Sequence, residues 1–199
     1  AYASIGKSLN TEAEKAFRNS LILKKDWERY LDLGMALLKI NQYPQSIDAY
    51  SKSIQFKRHW RSYYGLGIAY QKFNSRGAKS IDYYRKSIKR KEYWRTYFNL
   101  GNVLENTKQY SEAIIAYKKA ITLSINPSSS LYLSIGSVFI RMKEHQEGIC
   151  YLNKSIEIKE THEAYRELGW SYYSWGKYDE ALIAFNNSIR IKEDWKSLH

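Results

Sequence analysis

The chain has 199 residues, 44% of them hydrophobic, with only two prolines and a net charge of +12. That length suits one or two ordinary domains or one repeat array, and the scarcity of proline leaves long helices uninterrupted. One cysteine, Cys150, excludes an intrachain disulfide and a thiolate metal site, and no apolar run approaches the roughly 20 residues of a membrane span. With no signal peptide visible, the expected location is a reducing one, the cytoplasm. The positive field favours anionic partners without choosing between nucleic acid, acidic protein and membrane.

In chain order, residues 1–26 match the tail of one helix and a second helix, marked by Ala13, Phe17 and Ser20. Five full units follow, at 27–59, 60–93, 94–128, 129–161 and 162–194, and 195–199 starts another at Trp195. The anchor of each unit is a glycine: Gly34, Gly67, Gly101, Gly136 and Gly169. A tyrosine stands four residues before it (Tyr30, Tyr63, Tyr97, Tyr132, Tyr165), an aliphatic residue one before (Leu33, Leu66, Leu100, Ile135, Leu168) and a large apolar residue three after (Leu37, Tyr70, Leu104, Phe139, Tyr172). Downstream comes a small residue (Ser46, Ser80, Ala113, Gly148, Ala181), then Tyr50, Tyr84, Tyr117, Leu152 or Phe185, then a second small residue (Ser53, Ser87, Ala120, Ser155, Ser188). Spacings of four and three place these on one helical stripe. Each unit therefore reads as two amphipathic helices joined by a polar turn such as "INQYP". The glycine is expected where another backbone comes too close for a Cβ. Neither helix buries its stripe alone, so the units are expected to stack over a continuous core.

The pattern W-x2-Y-x2-L-G-x2-hydrophobic followed by small, aromatic and small residues, at a period near 34, resembles the tetratricopeptide repeat family over essentially the whole chain. The resemblance implies an all-α, right-handed superhelical solenoid of stacked antiparallel helix pairs. Two departures stand out. The family's tryptophan position holds the tyrosines, and Trp27, Trp60, Trp94 and Trp195 lie three residues earlier. The family's proline between repeats is replaced by Lys24, Lys57, Lys91, Lys159 and Lys192. Neither end carries the polar face of a terminal repeat, so the expectation is a fragment of a longer protein, with self-association through its uncapped ends.

No catalytic residue, metal site or cofactor is expected, and an enzyme only in an unseen domain of the parent protein. "AYASIGKS" at Ala1–Ser8 resembles a phosphate-binding loop, but it aligns with the helix–turn junction of a repeat rather than with the strand–loop–helix that chemistry needs, so coincidence is the expectation. His59, His145, His162 and His199 occupy unrelated positions without partners at metal-ligand spacing and read as surface residues. The glycosylation patterns at Asn153 and Asn186 fall mid-helix.

The first helix of each unit carries a second face beside its packing stripe: Leu31, Met35 and Leu38; Tyr64, Ile68 and Gln71; Phe98, Asn102 and Glu105; Leu133, Ser137 and Ile140; Arg166, Trp170 and Tyr173. A solvent-facing surface should be polar, and this one is largely apolar and aromatic. In proteins of this resemblance that face lines the inside of the superhelix, where ligands lie. The expected function is thus a non-catalytic scaffold holding a peptide or helix in a concave groove. Candidate anchors are Leu31, Met35, Tyr64, Ile68, Phe98, Asn102, Trp170 and Tyr173, with Lys39, Lys72 and Arg141 as charged partners at the rim, suiting acidic groups beside apolar anchors. The competing reading is packing between neighbouring first helices. The charge clamp by which some relatives grip acidic chaperone tails is not supported, because its lysine position holds Leu31, Tyr64, Phe98, Leu133 and Arg166. The alternative function is polyanion or nucleic-acid binding along the ladder Lys24, Lys57, Lys91, Lys159 and Lys192, against which stands the simpler role of a lysine complementing a helix C-terminus.

Overall fold

A computed structural model describes residues 26–73 and 77–197 together with Lys15 and Asn19, with side chains as far as Glu193. Ala13, Phe17 and Ser20 of the N-terminal partial repeat, the Ala1–Ser8 stretch, Lys24 and His199 lie outside the described residues. Among the described residues every regular element is a helix: α1 (Trp27–Lys39), α2 (Tyr43–Phe56), α3 (Trp60–Phe73), α4 (Ala78–Ile88), α5 (Trp94–Asn106), α6 (Tyr110–Leu123), α7 (Ser129–Arg141), α8 (His145–Ile158), α9 (His162–Ser174) and α10 (Tyr178–Ser197). The chain forms two compact units, Ala1–Thr107 and Lys108–His199.

In the first unit consecutive helices from α1 to α5 pack on one another, and the first helices α1, α3 and α5 also touch in sequence. The second unit repeats this with α6 to α10, where α7 touches α9. The start of α1 is set by Asp26, whose carboxylate accepts from the Arg29 backbone N–H at 3.0 Å and satisfies one orphan donor. Three turns within the pairs are closed alike. Asn41, Lys143 and Gly176 take positive φ. The following N–H of Gln42, Glu144 or Lys177 then reaches back to the carbonyl of Leu37, Phe139 or Tyr172, each at 2.9 Å. This is the left-handed C-terminal cap that stops a helix while pairing its last carbonyls.

The recurrent glycine has a different cause from the one expected. At Gly34, Gly67 and Gly169 the space a Cβ would need is filled by the ring of Tyr50, Tyr84 or Phe185, not by backbone. A close backbone approach occurs at Gly136, where the Leu152 side chain and the Gly148 carbonyl both crowd in. Small residue, ring and glycine thus form one packing set, and Tyr50, Tyr84 and Leu152 are fully buried by it, each worth about 1.5–3 kcal/mol of burial.

The small serines do more than leave room. Ser46 and Ser80 hydroxyls donate to the carbonyls of Gly34 and Gly67, at 2.8 and 2.9 Å. Ser53, Ser87, Ser155 and Ser188 donate to the first-turn carbonyls of Trp27, Trp60, Ser129 and His162, at 2.7–2.9 Å. Each bond ties the second helix of a pair to the first at a fixed height.

Candidate functional site

Residues of α1, α2 and α3, with Tyr93 just before α5, line one cavity of about 380 Å³. Leu31, Met35, Leu38 and Lys39 come from α1; Trp60, Arg61, Tyr64, Gly65 and Ile68 from α3; Tyr50 from α2, and Tyr93 precedes α5. The cavity brings together Leu31, Met35, Lys39, Tyr64 and Ile68. Leu31 is 5% exposed, so it forms the floor and belongs to the core with Tyr50 and Leu66, whereas Met35 is 45% exposed at the mouth. Phe98, Asn102 and Lys72 do not line it. Phe98 and Asn102 are half-buried on α5, and Lys72 is exposed in the last turn of α3.

Gly65 makes the cavity possible, and the sequence offered a signal for it. "YGLG" is the only unit with a second glycine two residues before the recurrent one, where the others hold Asp32, Asn99, Ser134 and Glu167. Without a side chain there, the Tyr50 ring lies directly over the α3 backbone and forms part of the cavity wall. Burial pushes the Tyr50 hydroxyl's pKa up, with Tyr64 and Asp32 adding to it, so it stays protonated. Tyr64 is raised in the same way, and its hydroxyl accepts from Asn99 Nδ2 at 3.1 Å, which fixes the ring at the cavity edge.

Lys39, Lys72 and Arg141 each sit in the last turn of a first helix, where cations complement the helix dipole. The inter-unit lysines are placed differently from one another. Lys57 and Lys159 cap α2 and α8 in extended conformation, Lys91 follows α4, and Lys192 falls inside α10. Lys57 Nζ lies 4.6 Å from the Trp27 ring centroid and Lys91 Nζ 5.2 Å from that of Trp60. The displaced tryptophan and the lysine in place of proline are therefore one paired feature. Between the two tryptophans sits His59, 4.6 Å from the Trp27 ring and 5.8 Å from Trp60, its Nδ1 accepting from the Arg61 N–H at 3.3 Å.

In the second unit Trp170 and Tyr173 are both 53% exposed. They meet edge-to-face at 5.7 Å, with Trp170 also against Phe185 and Tyr173 against Tyr178. Arg141 is exposed at the end of α7. Among the described residues no group of three His, Cys, Asp or Glu side chains is arranged to hold a metal ion. Nor is any described helix long and apolar enough to cross a membrane.

Paired helices, recurring turns and first helices that touch in sequence define a helical-repeat protein. Tetratricopeptide repeat profiles match residues 94–126, 129–162 and 162–194, and the chain belongs to that family. It is 33% identical over 92 residues to small glutamine-rich tetratricopeptide repeat-containing protein 2 of Mycosarcoma maydis, a match spanning 45% of this chain and 26% of that protein. Among solved structures, MamA superposes with a TM-score of 0.77 at 24% identity, covering 83% of this chain and 97% of that one. YrrB, described as a TPR protein with an unusual peptide-binding site, superposes with a TM-score of 0.77 at 21% identity, over 92% and 95% of the two chains. MamA of Desulfovibrio magneticus RS-1 gives 0.78 at 15% identity, over 84% and 96%. These likenesses establish an all-α tetratricopeptide repeat solenoid.

Proposed function

We propose that the chain is a non-catalytic scaffold that binds a peptide or helix of another protein on the second face of its first helices, principally at the first-unit cavity. The observation that carries this is the cavity itself: about 380 Å³ between α1 and α3, walled by aliphatic and aromatic side chains, with Lys39 and Arg61 as its cations. A cavity of that size takes one large apolar side chain with part of its backbone, which is how grooves of this kind anchor helices and extended segments. YrrB supports the reading as a protein of this fold described as having a peptide-binding site. In the second unit Trp170 and Tyr173 offer a further apolar contact.

The test is affinity capture from native lysate with the wild-type chain and a Met35→Asp/Ile68→Asp variant of matching helicity. Proteins retained by the wild type at high salt and lost with the variant carry the proposal. The same proteins retained equally by both overturn it.

A further inference from the structure

The positive charge is divided unevenly along the chain. Residues 1–107 hold twenty Lys and Arg against nine Asp and Glu, and residues 108–199 hold twelve against eleven. Between positions 57 and 95 the balance is twelve against two. Those two acids are already engaged: Asp82 pairs with Lys86 at 2.7 Å, and Glu92 accepts from the Tyr97 hydroxyl at 2.8 Å. The excess of ten cations along this stretch includes Arg61, Lys91 and Arg95, at and just before the starts of α3 and α5.

Those cations are held on rings. Arg61 and Lys91 share the Trp60 ring, at 5.4 and 5.2 Å from its centroid, and Arg95 lies 5.0 Å from that of Trp94. A ring face keeps a cation in place without cancelling its charge. Trp60 and Arg61 also line the apolar cavity, and Tyr93, which packs on Trp60, completes its wall. The basic surface therefore begins where the cavity ends.

We infer that the segment bound here is acidic: one large apolar side chain fills the cavity over Gly65 and Tyr50, and Asp or Glu residues on one flank lie along Arg61, Lys91 and Arg95. The inference rests on the peptide-binding reading above and adds the partner's chemistry. Two observations favour an acidic polypeptide over nucleic acid. Tryptophan faces covered by cations are not open for base stacking, on which single-strand binding relies. A phosphate polymer would also leave the apolar cavity unfilled. The nearly balanced second unit offers no comparable field.

A random dodecapeptide library selected against the full chain tests this, using three baits: wild type, Arg61→Gln/Lys91→Gln/Arg95→Gln, and Met35→Asp/Ile68→Asp. Wild type is expected to enrich Leu, Ile, Phe or Trp flanked on one side by Asp and Glu. The triple-Gln bait should keep the apolar residue and lose the acidic flank. A labelled peptide from the wild-type selection should bind the triple-Gln protein about tenfold more weakly, with a shallower salt dependence. Enrichment of apolar residues without acids, lost on the Met35→Asp/Ile68→Asp bait, overturns the acidic partner and leaves the cavity reading standing. Peptides that ignore the Met35→Asp/Ile68→Asp change, or no enrichment at all, overturn both. A thymidine oligonucleotide that binds more tightly than the selected peptide transfers the surface to nucleic acid.

Discussion

The Tyr50 ring occupies the place where a side chain at position 65 would stand. Three ring carbons of Tyr50 crowd the position a Cβ of residue 65 would take, and Tyr50 is 1% exposed, so the ring has nowhere to retreat. Gly65→Ala should destabilise the protein by about 1–3 kcal/mol through overpacking, in spite of the roughly 1 kcal/mol that alanine gains over glycine in a helix. Urea denaturation checks it, and a stabilised Gly65→Ala protein would refute the packing argument.

Ser53 and Ser62 form a buried relay. The Ser53 hydroxyl donates to the Trp27 carbonyl at 2.7 Å, which makes Ser62, 2.8 Å away, the donor to Ser53. Ser53→Ala removes both bonds and strands the Ser62 hydroxyl, at a cost of about 1–3 kcal/mol; Ser62→Ala leaves the bond to Trp27 intact and should cost about 1 kcal/mol or less. The order of the two melting temperatures decides the point.

The Trp27–Lys57 and Trp60–Lys91 contacts are open to double-mutant cycles. Replacing Trp27 by Leu and Lys57 by Met, singly and together, should give a coupling of about 0.5–1 kcal/mol, typical of an exposed cation–π pair. A coupling indistinguishable from zero would make the two departures from the family pattern independent after all.

His59 gives stability a pH dependence of known sign. Burial, then Arg61 and Lys57, hold its pKa below the ordinary 6.5, with Glu28 opposing and Lys91 adding. A folded-state pKa below the unfolded one means that the unfolded chain binds the proton more readily. The contribution is complete above the ordinary value and is lost as pH falls through about 6.5 toward the depressed folded value. Protonation would also end the acceptance of the Arg61 N–H by Nδ1. Asp32 acts in the opposite sense, since burial first and then Glu28 and Asp26 raise its pKa, but its ordinary value is 3.8, well below this window. Denaturation midpoints of the wild type should fall between about pH 7.5 and 5.5, and those of His59→Gln should fall less. Parallel profiles would remove His59 from the account.

The helix pairs were legible because each position in the period repeats its chemistry. What the period could not carry was what each position touches. Gly34 and Gly67 advertise a close approach, but only the fold shows a ring rather than backbone arriving there. The second face of α1 reads as uniform in a helical projection, yet contact between α1 and α3 buries Leu31 while leaving Met35 open. Trp27 and Lys57 stand 30 residues apart, and their meeting depends on the turn geometry between α1 and α2. Helix α10 runs on through Lys192, where the period suggested a break between units.

The hydrogen bonds that close the turns stay within the pair they close, Gln42 to Leu37, Glu144 to Phe139 and Lys177 to Tyr172. A pair added to or removed from such a chain brings its own turn with it and asks nothing of the other turns. Duplication or loss of one period in the gene can then lengthen or shorten the protein, so that reach becomes a trait inherited through copy number.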